Sequence, residues 1–207
     1  MSYTKKDIAM TVLKEVSDIS DDTALDIRQI MLHIDVISDK LRTEYLSALI
    51  NANRNDVSQF LVEYPNDYDT KEYPIIRDTF TNRYIAFMPC TVLPLPYQKG
   101  VWKIAPINAM NDNFIVRRNN TSSFTNGLKV NDLEGKKQCE IAGTKLYIKE
   151  FNGIENVKLY MALIPSSAYI NENMPYPVPN DFISDIIAYC KSQLIQQAPK
   201  DILNDGK

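Results

Sequence analysis

Ile27-Arg28-Gln29-Ile30-Met31-Leu32-His33-Ile34-Asp35-Val36-Ile37-Ser38-Asp39-Lys40-Leu41 is the stretch on which the fold turns. Ile27, Ile30, Ile34, Ile37 and Leu41 follow at spacings of three, four, three and four, and Tyr45 and Leu49 continue the row. That period lays one apolar face along a helix of about 25 residues, roughly 38 Å at 1.5 Å per residue. Leu25, Met31, Leu32, Leu46 and Ile50 widen the stripe. A helix this apolar needs cover on more than one side, from a β layer or a neighbouring subunit. Asp22 or Thr23 is its expected cap, with Asp26 in the first turn where the helix dipole favours an anion.

Upstream, Thr4 with Asp7 three residues on has capping-box spacing. Ile8, Val12, Val16 and Ile19 then mark a shorter amphipathic helix. Ser17 to Asp22 breaks it, because short polar side chains compete for backbone hydrogen bonds.

Downstream the chemistry changes to that of strands. Val57, Phe60 and Val62 precede the turn signal Tyr64-Pro65-Asn66-Asp67. Residues 83–89, 101–106 and 113–117 read as strands, and the prolines of 91–97 hold that segment extended. Residues 143–149 and 157–164 alternate apolar and polar around Asn152-Gly153, which predicts a hairpin between them. Pro94, Pro96, Pro106 and Pro165 belong at edges or strand ends. Residues 119–134, rich in Asn, Ser and Thr, read as a mobile loop. Pro175, Pro177 and Pro179 then impose a stiff segment that can neither form helix nor complete a sheet. Asn180 caps a last helix whose apolar face is Phe182, Ile183, Ile186, Ile187, Cys190 and Leu194 and which ends near Gln197.

The predicted fold class is therefore α+β. A helical hairpin over 1–52 packs with a C-terminal helix over 171–198. An antiparallel β unit, sandwich or barrel-like, is inserted over 53–170, and 199–207 is a polar tail.

Composition narrows the function. With 23 Lys and Arg against 26 Asp and Glu, the chain has no broad electrostatic drive towards nucleic acid. No apolar run reaches the roughly 20 residues that span a bilayer. The first seven residues lack a signal-peptide core, so a cytosolic origin is expected. Cys90, Cys139 and Cys190 are scattered and have no CxxC pair, which reads as reduced, buried thiols; the sequons at Asn119 and Asn120 then carry no glycan.

Catalytic signals are weak. The single His33 lies inside a helix without a metal-ligand partner, and both a serine triad and a cysteine nucleophile would have to use it. There is no phosphate-binding glycine loop. Asp67, Asp69 and Glu72 form the densest carboxylate cluster of the β region but lack the calcium-loop pattern, so they read as a solvated turn. Arg117-Arg118 is the only adjacent Arg pair and reads as a strand end or an interface patch. Tyr exceeds Phe, 12 to 7, as suits surfaces that are wet alone and buried in a complex. No cofactor or metal is expected, and the chain reads as no enzyme.

Three segments together resemble a family. Asp21 to Ile30 leading into Ile37 to Leu46 looks like the opening helices of virion structural proteins of crAss-like podoviruses. Met88-Pro89 through Leu93-Pro94-Leu95-Pro96 to Gly100-Val101-Trp102-Lys103-Ile104-Ala105-Pro106, and Cys139 to Ile148, are similar to their core. Met174-Pro175-Tyr176-Pro177-Val178-Pro179 before an amphipathic helix, followed by Gln197 to Lys207, resembles their proline-led helix and polar tail.

The helix–helix–β–helix order is also similar to the tail adaptor (gatekeeper) proteins of short-tailed phages. The resemblance implies a ring subunit of the head-to-tail connector or tail barrel, in twelve copies. Its partners would be its own copies, the portal and other tail ring proteins, with genomic DNA passing transiently and no membrane. Its place would be the virion, assembled in the host cytoplasm. The tail after Gln197 is shorter than the adaptor pattern, which speaks against deep insertion into the portal. The surfaces expected to meet neighbours are Ile27, Ile34, Leu41 and Tyr45 on the long helix, Arg117 and Arg118, and Pro175, Tyr176 and Pro177. The alternative is a receptor- or glycan-binding module of the virion, with Trp102 and tyrosines lining a sugar site.

Overall fold

A computed structural model describes residues 3–17, 26–54, 56–64, 73–80, 83–117, 137–149 and 157–197. The break after Ser17, caps at Asp22 or Thr23, the Asp67–Asp69–Glu72 cluster, Arg118, the 119–134 segment, the Asn152-Gly153 turn and the polar tail lie outside the described residues. The chain is α+β and divides into two compact units, Met1–Tyr45 with Ser167–Lys207, and Leu46–Ser166. The division falls inside the long helix, a few residues before the boundary that the loss of helical pattern suggested.

The first unit is helical. α1 (Lys5–Ser17) opens with a reciprocal capping box. The Asp7 N–H donates to Thr4 Oγ1 at 3.1 Å, and Asp7 Oδ2 accepts from the Thr4 N–H at 2.9 Å. Two of the donors that a helix start leaves orphaned are thereby satisfied.

α2 (Ile27–Asn51) has the length its stripe predicted. Its cap is Asp26, whose Oδ1 accepts the Arg28 N–H at 3.0 Å while its carbonyl accepts the Ile30 N–H. The helix therefore starts later than a cap at Asp22 or Thr23 would place it. It ends in a Schellman motif. Asn53 has φ 55, the Arg54 N–H reaches the Leu49 carbonyl at 2.9 Å, and the Asn53 N–H reaches Ile50. Asn serves at this left-handed position because its short polar side chain tolerates it.

α3 spans Asn180–Gln197 as predicted. Ile8, Val12 and Val16 of α1, Ile30, Ile34 and Ile37 of α2, and Ile183, Ile186, Cys190 and Leu194 of α3 are buried. Each buried aliphatic side chain contributes about 1.5–3 kcal/mol.

The proline-led segment makes a pairing the sequence seemed to forbid. Pro175 forms an isolated antiparallel bridge with Thr4. Proline at every second position leaves the intervening N–H groups free to donate, and the Tyr176 N–H bonds to the Tyr3 carbonyl at 2.8 Å. The Lys6 N–H bonds to the Glu172 carbonyl, so this segment brackets the entry to α1.

The second unit is built on two sheets. β1 (Val62–Tyr64), β8 (Leu159–Leu163) and β4 (Val101–Pro106) form one, in the order β1-β8-β4. β2 (Ile76–Asp78), β3 (Arg83–Phe87), β7 (Lys145–Lys149), β6 (Gln138–Ala142) and β5 (Ile115–Arg117) form the other, in that order. Buried residues from both, among them Ala86, Cys139, Leu146, Ile104, Leu159 and Met161, make one core. Pro106 ends β4, an outer strand of its sheet, where its missing N–H costs no ladder bond.

Three strand expectations are corrected. Residues 143–149 and 157–164 are not hairpin partners: β7 pairs with β3 and β6, and β8 pairs with β1 and β4. Period-2 alternation marks a strand without naming its neighbour. The hairpin is β6–β7, turned at Gly143-Thr144 with Gly143 at φ 62, the position a type II′ turn gives to glycine. The unit is not wholly antiparallel, because β5 and β6 run parallel. Residues 58–60 form a 3₁₀ turn before β1, where Val57 and Phe60 had suggested strand.

Candidate functional site

The helical unit holds a cluster of buried polar side chains centred on Ser167. Ser167 opens a 3₁₀ turn, Ser167–Tyr169, and uses every polar atom it has. Its N–H donates to Asp39 Oδ1 at 2.8 Å, and its carbonyl accepts from Lys5 Nζ at 2.8 Å. Its Oγ accepts from the Tyr176 hydroxyl at 2.8 Å and from Arg42 Nη1 at 3.2 Å. Lys5 Nζ also lies 2.7 Å from Asp35 Oδ1, and Arg42 Nη1 lies 3.6 Å from Asp39 Oδ1. The cluster joins the start of α1, the middle of α2 and the segment leading into α3.

Burial sets its electrostatics. Loss of water pushes the Asp35 carboxyl up, and the Lys5 ammonium pulls it partly back. The same cause pushes the Arg42 guanidinium down, opposed by Tyr176 and Asp39. Burial raises the Tyr176 hydroxyl to about 12, against the lowering effect of its bond to Ser167 and of the Arg42 guanidinium. Arg42 is wholly buried, and its Nε and Nη2 meet no hydrogen-bond acceptor among the described residues. Such a network fixes one arrangement of three chain segments, since each member left unpaired would cost about 1–3 kcal/mol.

The residues expected to meet neighbours fall into different settings. Ile34 and Tyr176 are buried within the chain's own fold, so neither is available to a partner: Ile34 is core, and Tyr176 belongs to the polar cluster. Ile27, Leu41 and Pro177 are half-buried, while Pro175 is exposed beside Thr4. Tyr45 is partly exposed and packs edge-on to Phe182, with centroids 5.0 Å apart. Arg117 ends β5, in register with Glu140 of β6.

Sequence reasoning missed Lys5, Asp35, Asp39, Arg42 and Ser167. A signal existed. Lys5 stands three residues before Ile8 on the apolar stripe of α1, and Arg42 follows Ser38 at i+4 beside the stripe of α2. A long cation in an apolar row is either at a helix end or buried with partners.

The outer helical faces are the second feature. Leu32 and Val36 lie on the side of α2 away from Ile30, Ile34 and Ile37, and are 65% and 70% exposed. Tyr189 on α3 and Met10 on α1 are exposed as well.

Among the described residues no group of three or more His, Cys, Asp and Glu could hold a metal ion. Cys90, Cys139 and Cys190 are free, buried thiols. No described helix is long and apolar enough to cross a membrane. A cavity of about 300 Å³ in the β unit is lined by Val92, Leu93, Pro94, Leu95, Gln98, Gly100 and Ile141, none of which titrates. Lys99 Nζ stands 5.0 Å from the Trp102 ring centroid and occupies a face on which a sugar would stack. No protein-family model matches the sequence, and no curated protein shows significant similarity to it.

Proposed function

We propose that this chain is a structural subunit of a phage virion, one copy in a ring of the head-to-tail connector or tail barrel. It acts by assembly, without catalysis. It links the portal to the tail and lines the conduit through which genomic DNA passes without sequence-specific binding. The ring number of twelve follows from the resemblance to tail adaptors. The observation that carries the reading is the chain's division: a helical unit made from both ends of the chain, with the β unit inserted between them. That is the arrangement the adaptor resemblance implied.

Two further points support it. The polar cluster makes the helical unit a single defined body, as a ring subunit requires. A mildly acidic chain also suits a conduit, because a basic lumen would hold DNA in transit.

The test is to localise the chain in purified virions that carry its gene, by particle reconstruction and antibody labelling. Density for a closed ring on the portal–tail axis is the expected result. Absence from the particle, or a position off that axis such as a receptor-binding fibre, overturns the reading.

A further inference from the structure

The outer faces of α2 and α3 carry opposite charge patterns on ridges of the same pitch. On α2, Arg28, Leu32, Val36 and Lys40 are exposed and four residues apart, forming one i, i+4 ridge roughly 18 Å long. Two cations bracket two neighbouring aliphatic side chains. On α3, Asp181, Asp185 and Tyr189 are exposed and also four apart. Two anions there lead into an aromatic ring. Among the described residues none of Arg28, Lys40, Asp181 and Asp185 forms an ion pair. A lone exposed Leu needs no explanation, but adjacent aliphatic side chains on one ridge, this far out of the core, form a patch that water covers poorly.

We propose that copies of this chain join head to tail, the Arg28–Leu32–Val36–Lys40 ridge of one copy seating on the Asp181–Asp185–Tyr189 ridge of the next. The occupant is a second copy because the chain itself supplies the complement to its own ridge. Self-pairing of either ridge is disfavoured. An antiparallel α2–α2 contact sets Arg28 against Lys40, and an α3–α3 contact sets Asp185 against Asp185. The pairing that neutralises charge uses two different faces. Each copy is thus left with one open face at either side, the condition for a ring where the rotation closes. In that seating Tyr189 covers Leu32 and Val36, and the two aspartates, both on one side of it, flank the single cation at that end of the ridge. This deepens the ring reading and rests on it.

The experiment is sedimentation velocity and native mass measurement of the full chain over a concentration series, at low and high salt. Four variants accompany the wild type: Arg28→Glu with Lys40→Glu, Asp181→Lys with Asp185→Lys, all four reversals together, and Lys6→Glu with Lys14→Glu on α1 as a control for general charge. All sites are exposed, and circular dichroism checks that each variant is folded. The wild type and the control are expected to associate. Each two-residue reversal on α2 or α3 should weaken association by about tenfold or more, and the fourfold reversal should restore it. A wild type that stays monomeric throughout overturns the pairing, whereas the ring reading is judged separately by its place in the virion. Association that survives both reversals unchanged also overturns the pairing while leaving the ring reading standing.

Discussion

The Lys5 ammonium donates to the Ser167 carbonyl at 2.8 Å, across 162 residues of sequence. Both lie in the helical unit, and through Ser167 the start of α1 is tied to Asp39, Arg42 and Tyr176. Hydrophobic burial alone is not directional, whereas this set of bonds admits one register of α1, α2 and the segment before α3.

The Ser167 hydroxyl is shared by Tyr176 and Arg42. Ser167→Ala should cost about 2 kcal/mol in urea unfolding, because it leaves a buried hydroxyl and a buried guanidinium short of an acceptor. Tyr176→Phe should cost about 1 kcal/mol. The double variant should cost less than the sum by about 1 kcal/mol, since the two changes remove the same bond. Strict additivity would mean that the bond contributes nothing.

Lys5 and Asp35 form a largely buried ion pair. Lys5→Met should cost about 3 kcal/mol, because the carboxylate keeps its desolvation penalty and loses its cation. Adding Asp35→Leu should recover most of that loss. If Lys5→Met is neutral in chemical denaturation, the pair is not what holds α1 to α2.

Stability should fall in alkali. Tyr176 is raised from 10.0 to about 12, chiefly by burial. Cys90 is raised from 9.0 to about 11, and Cys139 and Cys190 from 9.0 to about 12, again chiefly by burial. A group whose folded pKa is raised contributes stability in full below its unfolded value and loses it as the pH climbs through the folded one. The midpoint of thermal unfolding should therefore hold up to the cysteines' ordinary value and decline between there and the folded values. Tyr176→Phe should flatten the part of the decline above 10.0. The same thiols should resist alkylation in the native protein and react after unfolding.

Two glycines should respond differently to alanine. A Cβ on Gly100 would stand 2.3 Å from the Leu93 carbonyl oxygen, so backbone must move. Gly143 has open space around it, and only its φ of 62 resists a side chain. Gly143→Ala should cost about 1 kcal/mol and Gly143→Asn less, while Gly100→Ala should cost about 3 kcal/mol. Equal costs in denaturant melts would refute the distinction.

Much of the fold was legible because its signals are local. Ile30, Ile34 and Ile37 declare a helix face, Thr4 and Asp7 declare its predecessor's cap, and Val101–Pro106 and Asn180–Gln197 were bounded by Gly, Pro and a capping Asn. What could not be read was pairing. Nothing in Lys145–Lys149 says that it joins Arg83–Phe87 and Gln138–Ala142 and not Leu159–Leu163, because partner choice depends on contacts distant in sequence. The polar cluster was hidden for the same reason. Ser167 is an ordinary serine until four side chains, Lys5, Asp39, Arg42 and Tyr176, converge on it. Tyr176 was singled out for contact with a neighbour, and its phenol instead bonds within the chain.

A body assembled from two segments on either side of another unit is finished only when the later segment has been made. The segment up to Tyr45 leaves the ribosome ahead of the β unit and finds no mate until Ser167 and α3 emerge. At usual translation speeds that delay is on the order of ten seconds, while the intervening Leu46–Ser166 stretch has time to fold. A truncated product therefore lacks α3 and the serine that fastens α1, and its two earliest helices stay without their mates. The order of the segments thus makes closure of the helical unit conditional on synthesis having passed α3.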